Sequence, residues 1–198
     1  MATSIFSGNR ESNQTVALPT IDVDDAGVCV ANLHGIVGGL SLTGFELRMW
    51  EAKKSPAVSA IVLSIDSDAT FINPMNLLDI VVSGPTKLTI AMVHRALGGA
   101  FFAALGCHAI WATAGAEIGL LGASSLGATA PPIDVMAALD DEIVFRCTRL
   151  RPSVDEATWR WLIHNTVQSS ERCEARGLID YPVASEKRLV AVLGGQGT

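Results

Sequence analysis

A chain of 198 residues that is 49% hydrophobic and only 17% charged, with a mean hydropathy of +0.37, suffices for one domain and must hide much of its apolar surface in a core or a subunit interface. A formal net charge of −6 leaves no cluster of Lys and Arg to neutralise phosphates, which excludes nucleic acid as the expected partner. Cys29, Cys107, Cys147 and Cys173 show no CxxC or Cys/His spacing, so neither a metal site nor a disulfide framework is expected, and reduced thiols fit a cytoplasmic protein.

In chain order, residues 1–20 read as a flexible leader without the apolar run of a secretory signal, and 21–198 as one domain. Val28 to Leu33 is a β-prone run broken by Gly35, Gly38 and Gly39. A helix follows, with Ser41 or Thr43 as cap, Thr43 and Glu46 at capping-box spacing, an apolar face of Leu42, Phe45, Leu47, Met49 and Trp50, and a stop near Ser55-Pro56. Ala60 to Ile65 is a continuous apolar run of strand length, the pattern of a parallel strand covered on both faces. Asn73-Pro74 puts a capping side chain before proline, so a helix is expected from about Pro74 to Val82.

Leu88 to Val93 is a third buried strand. Gly98-Gly99 opens a helix through Leu105 that closes at Gly106, with His108 placed to cap its last carbonyls. Ala109 to Thr113 is a fourth strand and Glu117 to Leu121 a fifth. The apolar stretch Leu88 to Ile118 is interrupted by His94, Arg95, His108 and several glycines and threonines, so it reads as strand, helix, strand and not as a membrane span. Beyond Pro131-Pro132 the pattern turns helical, near Ile133 to Leu150 and Ser153 to Ser170, the latter with Ser153 and Glu156 as a second capping box. Trp159, Trp161 and His164 on it read as a packed amphipathic surface. Strands alternating with helices predict an α/β fold of right-handed βαβ units.

Ligands of open parallel sheets bind outside the carboxyl ends of the strands, which selects the loops Asp66 to Asn76 and His94 to Gly99. In the second, consecutive glycines let a substrate approach the backbone, and N–H groups at the helix start can stabilise an oxyanion; the alternative is that Gly98 and Gly99 only allow tight helix packing. His94 is a candidate base or orienting group beside that turn, or a pocket-lining histidine. Asp66 and Asp68 either face the cavity or form a solvated turn. Ser124 and Ser125 are candidate polar contacts or plain loop.

The segment from Lys87 to Ala100, ending Leu97-Gly98-Gly99-Ala100 and followed by Cys107-His108 and Ala116-Glu117-Ile118-Gly119, resembles the central part of the crotonase (enoyl-CoA hydratase/isomerase) superfamily, in which a buried strand enters a Leu-Gly-Gly-Gly oxyanion turn. Gly39-Leu40-Ser41, Ser59 to Ile65, Thr70-Phe71 and Ala175 to Asp180 resemble further family segments in the same order, over roughly residues 27 to 182. The resemblance implies the ClpP/crotonase fold, a repeated ββα/βαβ spiral with a mainly parallel sheet and C-terminal helices.

It also implies that the backbone N–H groups of Gly99 and Met75 form an oxyanion hole for a thioester carbonyl, Pro74 having no N–H to offer. His94 joins them as a catalytic candidate, and Phe71, Asn73, Leu97, Gly98, Phe102, Gly122 and Ser124 are the implied substrate-binding positions, with no metal. The positions of the two hydratase acids are matched by Phe102 and Gly122, which departs from an ordinary hydratase because no carboxylate is left to deprotonate water. The implied function is therefore an acyl-thioester decarboxylase, isomerase or lyase. No permanently bound cofactor is expected, the substrate being carried on coenzyme A or on the phosphopantetheine of an acyl carrier protein, as in polyketide pathways. A trimer or hexamer and no membrane partner are implied, although only 18 residues follow Asp180, where the family has a longer helical tail. Two alternatives stand: an inactive scaffold related to Clp or signal-peptide peptidases, with Leu97 standing where those enzymes carry the nucleophilic serine, and a carboxyltransferase or malonate decarboxylase-like subunit.

Overall fold

Apolar runs set between turn and capping residues become the strands of one sheet in the computed structural model, which describes residues 23–24, 27–35, 40–69, 74–120, 133–165, 167–183 and 186–194. In chain order the elements are β1 (Val28–Gly35), α1 (Leu40–Lys54), β2 (Ala60–Ala69), α2 (Pro74–Val82), β3 (Leu88–Gly98), α3 (Gly99–Leu105), β4 (Ala109–Gly119), α4 (Ile133–Leu150), α5 (Glu156–His164), β5 (Gln168–Ser169), α6 (Ser170–Glu174), β6 (Tyr181–Val183) and α7 (Glu186–Leu193). Strands β1 to β4 lie side by side in chain order, all parallel. β5 joins the late part of β4 antiparallel, and β6 joins its early part in parallel. This is the mainly parallel α/β architecture that the sequence predicts.

The continuous apolar runs follow from a sheet covered on both sides. One face, with Ala31, Leu63, Val93 and Ile110, packs on the buried side chains of α1, α2 and α3 in the main core. The other presents Val28, Val62, Ile90 and Met92 to a smaller cluster with Val183 and Leu189 of α7. All four cysteines are buried thiols. Among the described residues no helix is long and apolar enough to cross a membrane.

Helix α2 starts at the proline that the Asn73-Pro74 pattern selects, and α4 has the predicted bounds. Other expectations are corrected. α1 begins at Leu40, so Ser41 and Thr43 lie within the helix and not at the position before it. Its core face is Phe45, Met49 and Ala52, at i, i+4 and i+7, while Trp50 is 52% exposed and carries the Lys54 ammonium 3.6 Å over its ring. The end of α1 is tied to α2: the Lys53 ammonium, 5% exposed, donates to the carbonyls of Val81 and, at 2.6 Å, Ser83, which supplies acceptors to a buried charge and partners to the end of α2. His108 does not cap α3. Its N–H donates to the Thr89 carbonyl at 2.8 Å and its Nδ1 accepts from the Thr89 N–H at 3.1 Å, so it continues the strand pairing.

The segment from Ser153 to Ser170 is not one helix. α5 is capped by Asp155, whose carboxylate accepts from the Thr158 N–H at 2.7 Å; this takes the place of the expected Ser153 and Glu156 box and leaves Ser170 to begin α6. Hydrogen bonds from Thr158 hold the Asp155 carboxyl below the usual range. A depressed carboxylate pKa contributes stability that is complete above the unfolded-state value and disappears as the pH falls through the folded one. Asp155→Ala is therefore expected to lower the Tm at pH 7 and to match the parent protein at pH 2, a comparison that thermal unfolding across that range makes directly; equal differences at both ends would contradict the cap.

Three predicted strand ends are also corrected, for one reason. β2 and β3 continue past the points where their apolar runs stop, and β4 joins the two strands expected at 109–113 and 117–121. Between β2 and β3, Ile65 pairs with Val93 and Asp66 with Arg95, so His94 is an extra residue, a β-bulge. Between β3 and β4, Val93 pairs with Ala112 and Arg95 with Glu117, and the Thr113 hydroxyl donates to the Val93 carbonyl at 3.3 Å across the break. Gly115, at φ 75°, turns the intervening segment of β4.

Candidate active site

Beyond the bulge, β3 delivers Leu97 and Gly98 to the carboxyl edge of the sheet. Gly98 pairs with Ala69, the last residue of β2, and Leu97 with Gly119, the last of β4. Gly98 has φ 58° and ψ −124°, a conformation that a side chain disfavours strongly, and it reverses the chain from strand into helix within one residue. Gly99 is glycine for another reason: a Cβ there would stand 3.1 Å from the Ala69 carbonyl oxygen and 3.4 Å from Cδ1 of Leu77. The turn reading thus describes Gly98, and the packing alternative describes Gly99, whose N–H nonetheless belongs to the first turn of α3, outside that helix's own hydrogen-bond ladder.

Met75 is the second residue of α2, two positions before the leucine that approaches Gly99, and α2 packs on α3. The first turns of the two helices that carry the expected donors are therefore neighbours. The Met75 sulfur lies 3.2 Å from Nη1 of Arg146 on α4. Leu97 and Phe102 are buried, and Phe102, 2% exposed, belongs to the main core, so an aromatic ring fills the place where the family resemblance leads to an acid. Phe71, Asn73, Gly122 and Ser124 lie outside the described residues.

His94 is corrected in position. It is expected in a loop beside the glycine turn, but β3 runs on for four residues after it, which puts its Cα roughly 13 Å before that of Gly98 at ~3.3 Å per residue. Asp66 and Asp68 likewise sit in strand, not loop. What the sequence reading missed is an ion ladder across three strands: Arg95 lies 3.6 Å from Asp68 and 3.2 Å from Glu117. Its signal was the alternation of charge at the strand ends, with Asp66 and Asp68 on one strand, Arg95 on the next and Glu117 on the third. One carboxylate oxygen of Asp68 is buried with no hydrogen-bond partner among the described residues.

Burial pushes Cys107, Cys147 and Cys173 up to about 12, which disfavours the thiolate form at these three positions. Two cavities lie away from the turn. One of about 230 Å³ is bounded by Thr113, Ser170, Glu171, Glu174 and Pro182; hydrogen bonds, first from Ser169 and also from the Gly115 N–H, hold its Glu171 carboxyl below the usual range. The other, of about 200 Å³, is bounded by Lys53, Lys87, Thr89, Gly106 and His108, and both lysines there are committed to backbone carbonyls. The Gly177-Leu178-Ile179-Asp180 segment fastens the sheet: Asp180 accepts from the Ile110 N–H at 2.7 Å and from Arg151 at 2.8 Å.

No protein-family model matches the sequence, and no curated protein matches it. Solved structures do resemble the fold. An enoyl-CoA hydratase/isomerase family member superposes with a TM-score of 0.67 at 17% identity, over 89% of this chain and 75% of its own. ThnE from S. clavuligerus gives 0.66 at 16%, over 90% and 83%. A 1510-N membrane-bound stomatin-specific protease gives 0.67 at 18%, over 87% and 84%. The parallel sheet, the glycine reversal after its third strand and these superpositions agree, and the chain has the ClpP/crotonase fold.

Proposed function

We propose that the chain binds an acyl thioester, carried on coenzyme A or on a carrier protein's phosphopantetheine, with the thioester carbonyl directed at the Gly98-Gly99 reversal. The observation that carries this reading is Gly98 at φ 58° on the carboxyl edge of the sheet, where a side-chain-free backbone and the first-turn amides of α3 can meet a carbonyl oxygen. Gly99 is the first donor of the proposed oxyanion hole and Met75, on the adjacent helix start, the second.

Such donors act where charge gathers on the thioester oxygen. In a decarboxylation the bond to the departing carboxylate breaks, its electron pair passes into the thioester as an enolate, carbon dioxide leaves, and the α-carbon then takes a proton. A hydration also needs a base for water, and the ring of Phe102 offers none. The proposed chemistry is accordingly that of a decarboxylase, isomerase or lyase, a choice that rests on the absent carboxylate, while the enoyl-CoA hydratase/isomerase likeness supports only the broader crotonase kind.

Thermal-shift measurements with acyl-CoAs, acyl-pantetheines and peptides test it. A thioester at one hundred times its Kd contributes about 2.7 kcal/mol, which for a chain of this size raises the Tm by about 5–10 °C. Stabilisation by thioesters and not by peptides is the expected result. Stabilisation by peptides alone would sink it in favour of a scaffold related to the stomatin-specific protease, which superposes equally well and which Leu97, having no nucleophilic atom, would leave inactive.

A further inference from the structure

The amino-terminal edge of the sheet, at the far end of β3 from the glycine reversal, carries the cavity of about 200 Å³ that Lys53, Thr86, Lys87, Thr89 and His108 help to bound. None of the described residues around it is acidic. Elsewhere the chain pairs its cations: Arg95, Arg146, Arg151 and Arg160 each lie within 3.6 Å of a carboxylate. Lys53 and Lys87 have no carboxylate partner among the described residues, in a chain whose formal net charge is −6. Two positive charges thus meet at one cavity with nothing acidic beside them.

Backbone carbonyls hold both ammonium groups in place. Lys53 donates to Val81 and, at 2.6 Å, to Ser83, and Lys87 donates to Ser55 at 3.1 Å and to Val58 at 2.5 Å. These bonds serve the ends of α1 and α2, but carbonyl dipoles solvate a cation without neutralising it. Burial pulls the Lys53 ammonium below the usual lysine range, a direction that an anion in the cavity would oppose. An ammonium has three N–H groups, so Lys87 keeps one beyond its two carbonyls. The Thr89 N–H donates to Nδ1 of His108 at 3.1 Å, which puts the proton of the neutral ring on Nε2 and makes that atom a donor as well. The Thr86 hydroxyl adds another on the exposed turn before β3.

We infer that this cavity binds a phosphate dianion, free or as the phosphate end of a small phosphomonoester, against the Lys53 and Lys87 ammonium groups. Two unit charges match the two of the anion. The volume falls below the ~300–1,000 Å³ of pockets that enclose whole organic ligands, which suits a compact tetrahedral group. Lys87 supplies a charge-assisted bond and His108 and Thr86 neutral ones, while Lys53, its N–H groups already on carbonyls, acts through its charge. The site is distinct from the proposed thioester site: Leu88 and Gly98 are the two ends of β3, roughly 33 Å apart along an extended strand.

Isothermal titration calorimetry of the full chain with inorganic phosphate, and separately with glycerol phosphate, at fixed ionic strength in chloride tests this. Saturable one-to-one binding, for which the two ligands compete, is the expected result. Tighter inorganic phosphate identifies the free ion and a tighter ester the end of a larger molecule; either supports the site. Thr86→Asp sets a carboxylate at the exposed rim without touching either lysine. It should weaken binding by about ten-fold or more, with an unchanged circular dichroism spectrum and an unchanged thermal shift by thioesters. Lys87→Met should weaken binding as much, with a lower Tm because Ser55 and Val58 lose their donor. No saturable heat with either ligand, or an affinity that either variant leaves equal to the parent's, would overturn the proposal.

Discussion

Gly99→Pro is expected to lose about 10²–10³-fold in turnover of whichever acyl thioester gives the largest thermal shift, the usual effect of removing one oxyanion donor, while Gly99→Ala retains most of it. The pair separates chemistry from space. Both substitutions add a Cβ at 3.1 Å from the Ala69 carbonyl oxygen, so the alanine variant measures the cost of that contact by itself. Only proline deletes the N–H. Gly99 is the first residue of α3, a position where proline suits the helix, so the fold should tolerate it. Steady-state kinetics with circular dichroism as the control decide the matter, and equal turnover by the two variants would remove Gly99 from the oxyanion hole.

The second large effect concerns stability. Phe102 is 2% exposed among the side chains of the main core, and truncating a buried phenylalanine to alanine costs about 3–5 kcal/mol through lost burial and the cavity left behind. At roughly 2–4 °C per kcal/mol in a chain of this size, the Tm of Phe102→Ala should fall by about 10 °C. Phe102→Glu should fall further, because the core offers no partner for a carboxylate and the group must lose its charge or unfold its surroundings. Urea denaturation and thermal scans measure both. A Phe102→Glu protein as stable as the parent would mean that the ring faces an open pocket, and it would return that position to the acids of a hydratase.

Much of this was legible in the amino-acid order. Asn73-Pro74 marked the start of α2 because a proline without an N–H suits a first helical turn, and the unbroken apolar run from Ala60 to Ile65 announced a strand covered on both faces. Gly98 and Gly99 could be singled out as a pair, but not told apart: one answers to a backbone angle and the other to the nearness of Ala69, and only three-dimensional placement reveals which is which. The strand ends were hidden for a related reason. Where the second faces of β2 and β3 become polar, at Asp66, Asp68 and Arg95, hydrophobicity ceases to report the strand although the hydrogen-bonded ladder continues. His94 accordingly looked like the edge of a loop and proved to lie inside a strand, and the charged side chains that looked like loop solvation proved to reach one another across strands.

The bulge at His94 has a further implication for how the central strand counts its residues. Val93 and Ala96 both belong to the core, and their strand partners Ile65 and Ser67 alternate with Asp66 between them; the histidine is the one surplus residue between two correctly phased halves. Deleting it, or an immediate neighbour whose place it would take, would leave the two halves of β3 in phase, whereas a residue lost farther away would put those between it and the bulge on the wrong face. The strand that carries the glycine reversal can thus change length at the bulge without turning itself inside out.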